Sequence, residues 1–524
     1  MKKWFFFFSC FISFAGLGQE INVLHYRYDL ELNDVNDSLF GMAVVNFVLL
    51  TDSHSASFDL AGIDQKRKGM NVTSVSVGTY NLKFTHHNDK ITIDLPANKK
   101  GDTLKIWITY KGIPSDGLII SKNKYGDRTF FADNWPNRAH FWIPCKDVPN
   151  DKASFEFTVT APYQYNVISN GTLLETKQLG NGKKLTHWKE DTPLPTKVMV
   201  IGAAKFAVKE FPDSPPNIPV SAWVYEQDST KGFHDYAPAP EILKFFSSYI
   251  AVYPYKKLAN VQSKTIFGGM ENAGAIFYAE NSVTGKGGVE DLLAHEIAHQ
   301  WFGDMASEKS FSHLWLSEGF ATYFTDIYWQ HKFGEEAFRK RLQKERNEVI
   351  QFVKTTDHPV VDSVSPYMDL LNPNSYQKGA WTLHMLRNEV SDSVFQKIIQ
   401  SYYRQYKGGN ADTRDFETVA EEVSGKDLKW FFDQWLYRPG IPKLNANWKR
   451  EGNEIKVEIK QTGSQTFQLP LQIGIVSADG KITIQKLSIK SKEEEFKIES
   501  SSNPVKLVLD PNTKLLFEGS ISSK

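Results

Sequence analysis

Apolar and polar residues alternate over residues 26–32, 44–50 and 104–110, and clusters of Asn, Asp and Gly separate the runs. A period of two sends every second side chain to one face, so residues 19–205 are expected to form an antiparallel β domain. From about residue 238 the period lengthens. Val289, Leu292, Leu293, Ile297 and Trp301 recur at helical spacing, as do Trp315, Phe320, Tyr323, Ile327 and Tyr328. These rows predict two amphipathic helices inside a mostly helical domain spanning 206–443. Ser424-Gly425 reads as a helix stop, and Arg438-Pro439-Gly440-Ile441-Pro442 reads as a domain boundary. Alternation returns over residues 455–459, 469–476 and 505–509, which predicts a small β-sandwich at 444–524. The expected class is therefore α+β and multidomain, since 524 residues exceed what one hydrophobic core organises.

The amino terminus follows a different logic. Lys2-Lys3 precedes an apolar run from Trp4 to Leu17, and Gly18-Gln19 closes it, so residues 1–18 are expected to be a secretory signal peptide. The run is short for a transmembrane helix, and no transmembrane segment is expected once it is removed. Cys10 after Ser9 raises lipoprotein anchoring, but the apolar run continues past that cysteine. Signal removal leaves Cys145 alone, so no intrachain disulfide is expected. The expected location is the bacterial periplasm or the extracellular space. With 61 basic and 61 acidic residues, the net charge of zero gives no electrostatic case for a nucleic-acid partner.

The chemistry concentrates in His295-Glu296-Ile297-Ala298-His299, followed nineteen residues later by Glu318. Residues four apart on a helix share a face, so both imidazoles can hold one metal ion with Glu296 beside it. Glu318, on the second predicted helix, supplies a third ligand. Two His and one carboxylate leave the fourth tetrahedral position to water, the arrangement of catalytic rather than structural zinc. A solvated, salt-bridged helix would instead carry Lys, Glu and Arg on that face. Zinc makes water acidic enough for a neighbouring base, and Glu296 is that base. Upstream, Gly268-Gly269-Met270-Glu271-Asn272 forms a glycine-rich extended segment that can accept a peptide as an added strand. Its Glu271 has two readings, a solvated turn carboxylate or an anchor for a free α-ammonium.

In this order, Gly268-Gly269-Met270-Glu271-Asn272, His295-Glu296-Ile297-Ala298-His299-Gln300-Trp301-Phe302-Gly303 and Leu314-Trp315-Leu316-Ser317-Glu318-Gly319-Phe320-Ala321 resemble the gluzincin zinc aminopeptidase family, of the aminopeptidase N and leukotriene hydrolase type. Two positions depart from its pattern: Gly269 stands for the usual Ala and Ser317 for the usual Asn. The resemblance implies an amino-terminal β-saddle, a thermolysin-like catalytic domain and a small carboxy-terminal β-sandwich. It implies one Zn2+ per chain on His295, His299 and Glu318, with Glu296 as general base and Gly268, Gly269, Met270, Glu271 and Asn272 binding substrate. Tyr376, in Tyr376-Gln377-Lys378-Gly379-Ala380, matches the family's oxyanion donor; without the resemblance it reads as a core aromatic. A second amine anchor falls at Asp133 or Asn134, upstream of Pro144-Cys145-Lys146-Asp147-Val148-Pro149, and Phe267 stands where the family lines its first side-chain pocket. The implied function is an exported zinc aminopeptidase acting on peptides with a free amino terminus. A zinc endopeptidase, or an epoxide-hydrolysing enzyme like one relative, is the alternative.

Overall fold

The computed structural model describes residues 20–500 and 504–524. The expected signal peptide, including Cys10, lies outside them. The first domain is built on an eight-stranded sheet in the order Thr172–Gln178, Lys183–Leu194, Ala153–Pro162, Ile21–Glu31, Leu39–Leu49, Thr103–Ile113, Gly69–Val77 and Tyr80–Asn81. A three-stranded and a four-stranded sheet complete it. In the Ile21–Glu31 strand the buried positions run Ile21 and Val23, then Tyr26, Tyr28 and Leu30. A bulge between Val23 and His25 shifts that phase by one residue, which keeps the apolar face on the core across an irregular register. One pairing departs from the expected antiparallel pattern. Ile21–Glu31 runs parallel to Ala153–Pro162, and a period of two reads the same in either direction, so sequence patterning cannot distinguish the two.

The region after residue 205 is not purely helical. A five-stranded sheet accompanies the helices, in the order Phe206–Glu210, Val220–Tyr225, Leu258–Ser263, Ala275–Ala279 and Gly269–Met270. Its three central strands are parallel to one another. All six residues of Leu258–Ser263 are buried, so the strand shows no alternation and no two-period signal. The helices that follow or flank this sheet are α1 (Ser229–Asp235), α2 (Ala239–Tyr249), α3 (Glu290–His299), α4 (Trp315–Phe352), α5 (Gly379–Val390), α6 (Asp392–Tyr406), α7 (Thr413–Ser424) and α8 (Lys429–Leu436). The first half of α4 is buried on every side from Trp315 to Tyr328, and the helix breaks at Gly334, where φ is 82°. Past the break its burial becomes periodic again, as expected of a helix that has left the core for the surface.

The last domain packs a four-stranded sheet, Glu493–Glu499, Glu454–Gln461, Lys443–Glu451 and Glu518–Ser523, beside a three-stranded one, Ile482–Ile489, Leu469–Ser477 and Pro504–Leu509. It is the expected β-sandwich. His384 of α5 reaches into this domain, its Nε2 lying 2.9 Å from the Thr513 carbonyl oxygen. Among the described residues no helix is long and apolar enough to cross a membrane.

Candidate active site

Gly287 and Gly288, both at positive φ, turn the chain into α3, and Glu290 and Asp291 occupy its first turn, where the helix dipole favours acids. Leu293, Ala294, Ile297 and Ala298 are buried, which fixes the rotation of the helix and turns His295, Glu296 and His299 toward α4 and the sheet edge. His295 Nε2 and His299 Nε2 lie 3.1 Å apart. Glu318 Oε2, from the first turn of α4, is 3.2 Å from the first and 3.3 Å from the second. Ligand atoms of these three residues all fall within 4.8 Å of one another, the spacing that surrounds a single ion. Behind them, His299 Nδ1 faces Ser317 Oγ at 3.0 Å and the Phe302 carbonyl oxygen at 3.2 Å. Such outer contacts fix the ring's orientation and tautomer.

Tyr376 arrives from the other side. It sits in a single π-helical turn, Asn374–Lys378, immediately before α5. This turn can approach α4 because Gly319 and Gly379 meet back to back: a Cβ on Gly319 would lie 2.9 Å from the Gly379 backbone. The Tyr376 ring stacks on the His295 ring, 5.9 Å between centroids and 13° between planes.

The glycine-rich segment forms the edge of the five-stranded sheet. Gly269–Met270 pairs antiparallel with Ala275–Ala279 on one side only. The departure at Gly269 has a geometric consequence, since a Cβ there would come within 2.3 Å of Glu296 Oε1. The Glu296 carboxylate therefore rests directly against the strand. A cavity of about 260 Å³ lies between these parts. Gly268, Gly269, Met270, Glu271, His295, Glu296, His299, Glu318 and Tyr376 all line it. Asn272 does not; it is fully buried beyond the strand and its carbonyl oxygen accepts from the Ala275 amide at 2.9 Å, closing the turn.

The charges in this cavity are strongly perturbed. Burial raises Glu296 well above the ordinary carboxylate range, and the neighbouring Glu271 and Glu318 charges add to that against His299. Burial likewise raises Glu271. Burial opposes ionisation of Glu318 too, yet the two imidazoles outweigh it and hold that carboxyl low. His299 is the converse: burial disfavours its cation, but the surrounding carboxylates lift it to about 10. Tyr376 is raised well above the usual phenol value, first by burial and then by the three carboxylates, so its hydroxyl keeps its proton. Glu271 Oε1 is buried and makes no hydrogen bond.

Neither sequence candidate for the second amine anchor reaches this cavity. Asp133 is fully buried, its Oδ2 accepting from the Ile266 amide at 3.0 Å and its Oδ1 lying 3.0 Å from Arg138 Nη2. Asn134 donates to the Thr196 and Met199 carbonyl oxygens at 3.1 and 2.6 Å and accepts from Trp142 Nε1 at 2.8 Å. The residue after them, Trp135, lines the cavity instead, together with Phe267, Leu292 and Leu371. Of these the resemblance assigns only Phe267 to a pocket. Gln300 carried no signal in the sequence reading either: it follows the second histidine and grips the glycine-rich segment, donating to the Glu271 carbonyl oxygen at 2.6 Å while accepting from the Gly274 amide at 2.7 Å.

Comparisons with known proteins point to one family. The family model described as the Peptidase M1 N-terminal domain matches residues 22–198, and the Peptidase family M1 domain matches residues 235–435. Among curated proteins, the chain is 28% identical over 436 residues to "Probable aminopeptidase 2" of Sulfurisphaera tokodaii, covering 78% of this chain and 54% of that protein. It is 30% identical over 419 residues to the glutamyl aminopeptidase of Rattus norvegicus, covering 72% of this chain and 43% of the relative. The chain thus spans about half the length of these curated relatives. Among solved structures, Legionella pneumophila aminopeptidase A in complex with aspartic acid superposes with a TM-score of 0.83 at 17% identity, over 96% of this chain and 60% of that one. That likeness establishes the fold.

Proposed function

The chain belongs to peptidase family M1, and from that premise we propose that it is a zinc metallo-aminopeptidase releasing single residues from the amino terminus of peptides. The observation that carries this reading is Glu271. Its carboxylate is buried, has an oxygen without a hydrogen-bond partner, and lines the same cavity as His295, His299 and Glu318. A buried, unpaired carboxylate is costly unless a ligand brings the opposite charge, and a free α-ammonium does so. An endopeptidase has no use for such a group, because no ammonium exists beside an internal bond.

The donor set suits zinc. Two imidazole nitrogens and a carboxylate oxygen converge on one point. Three buried carboxylates share the cavity, and a divalent cation offsets their charge. When bound, zinc supplies Lewis acidity and brings water into the range where a carboxylate can deprotonate it.

The chain's own groups supply the remainder. The unpaired edge of Gly269–Met270 can hold an extended peptide by backbone hydrogen bonds. Glu271 then fixes the amino terminus and limits cleavage to the first bond. Glu296, whose affinity for protons is raised by burial, takes the proton of the attacking water and passes it to the departing amine. Tyr376 donates a hydrogen bond to the carbonyl oxygen as negative charge collects there. Export of the protein rests on the sequence of residues 1–18.

Hydrolysis of free aminoacyl-arylamides beside their N-acetylated counterparts, with and without a zinc chelator, tests this reading. Chelator-sensitive cleavage confined to the free-amine set is expected. Cleavage of internal bonds in blocked peptides would instead favour the endopeptidase.

A further inference from the structure

Besides the polar groups, the cavity has an apolar lining. Trp135, Phe267, Met270, Leu292 and Leu371 also line it, and among the described residues no lysine or arginine does. Trp135 and Phe267 meet edge to face, with centroids 5.7 Å apart and planes at 87°. Phe267 is held from behind as well: the Arg138 guanidinium lies over its ring at 5.8 Å. Asp133 accepts from the Ile266 amide just before it. Two cations behind this wall are already paired. Arg138 lies 2.8 Å from Asp116 Oδ1 and 3.0 Å from Asp133 Oδ1, and Lys197 Nζ lies 2.5 Å from Glu308 Oε1.

The geometry points to a first side-chain pocket built for a neutral aromatic or large aliphatic amino-terminal residue, with Trp135 and Phe267 as the specificity-determining side chains. This inference rests on the aminopeptidase reading for the direction in which substrate enters. Cavity size allows it, since an apolar cavity of roughly 150 Å³ already accepts benzene and about 260 Å³ is present here for side chain, amine and carbonyl together. Charge enforces it. An acidic side chain would lose its hydration against an apolar wall with no free cation to replace it. A basic side chain would find Asp133, behind the wall, engaged by Arg138. The carboxylates that do line the cavity, Glu271, Glu296 and Glu318, are committed to the amine, the water and the metal in that reading.

Binding and turnover separate this inference from the reading beneath it. Calorimetric titration of the zinc-loaded Glu296→Gln protein with the α-amides of L-phenylalanine, L-leucine, L-alanine, L-glutamate and L-lysine measures pocket preference without catalysis. Phenylalanine and leucine amides are expected to bind at least about tenfold more tightly than glutamate and lysine amides. In the Phe267→Ala, Glu296→Gln double variant, with folding checked by thermal melting, the ratio of phenylalanine to alanine amide affinity is expected to drop by about tenfold. Preference for the glutamate or lysine amide, or an unchanged ratio in the double variant, overturns the proposal. The expected order of binding alongside a wild-type protein that cleaves no aminoacyl-arylamide would leave the pocket intact and sink the aminopeptidase reading alone.

Discussion

Gln300 Nε2 donates to the Glu271 carbonyl oxygen at 2.6 Å, joining the end of the helix that carries His295 and His299 to the segment that carries Glu271. The same side chain donates to Asp304 Oδ2 at 3.0 Å and accepts from Tyr253 OH at 3.1 Å, so it is fully engaged and fully buried. Two parts of the site that lie far apart in sequence are thereby held at one distance.

Gln300→Glu keeps the acceptor for Gly274 and Tyr253 but removes the donor to Glu271. It is expected to lower kcat/KM for free-amine substrates by roughly 10- to 100-fold, because small displacements of positioning groups are costly. Unmatched buried polar groups should also reduce stability by about 1–3 kcal/mol. Steady-state kinetics and urea unfolding of the variant check both; wild-type kinetics would show that Gln300 does not position the strand.

Glu296→Gln should bind zinc with the wild-type stoichiometry and lose turnover by about two to four orders of magnitude, the usual contribution of a general base. Metal analysis beside single-turnover rates decides it. Loss of the metal would assign Glu296 a ligand or folding role.

Tyr376→Phe removes one hydroxyl and leaves the ring stacked on His295. A fall in kcat of about two to three orders of magnitude with little change in KM is expected, as for loss of one oxyanion donor. A matched rise in KM would mean that Tyr376 binds the ground state.

Ser317 Oγ faces His299 Nδ1 at 3.0 Å. Ser317→Ala is expected to weaken zinc by about 10- to 100-fold, the ordinary cost of losing an outer contact to a ligand. Competition with a chelating dye reads the affinity directly, and an unchanged value would pass the orienting role to the Phe302 carbonyl oxygen alone.

His384 links α5 to the β-sandwich. Tyr323 OH lies 3.1 Å from its Nδ1 and the Thr513 carbonyl oxygen 2.9 Å from its Nε2. Burial lowers its pKa from 6.5 to about 3, so the native protein keeps it neutral where the unfolded chain takes up a proton. Its stabilising effect is complete above about pH 6.5 and shrinks, by up to about 1.4 kcal/mol per pH unit, as pH falls toward 3. In His384→Gln the acid side of the stability profile should be shallower by about one proton. Equal slopes in both proteins would exclude His384 as a source of acid sensitivity.

The motifs that hold the site together were legible because each is local. Four-residue spacing puts His295 and His299 on one face of a helix, and the acids, glycines and apolar rows around them identify that helix without tertiary information. The strands of the outer domains showed for the same reason: half-buried strands must alternate. The five-stranded sheet was hidden, because a strand such as Leu258–Ser263, buried on both faces, has no polar side to show.

What the sequence determined by itself was therefore the set of candidate reacting groups, whose chemistry is carried by residue type and short spacing. Tertiary structure decided what surrounds them. Asp133 and Asn134 look like available polar groups in a one-dimensional reading, yet Arg138, the Ile266 amide and three neighbouring partners of Asn134 have taken them. Trp135, an ordinary core residue by composition, became a pocket wall. Whether a polar group is free or satisfied depends on partners brought close by folding, and an apolar side chain lines a cavity only when the surrounding elements leave space beside it.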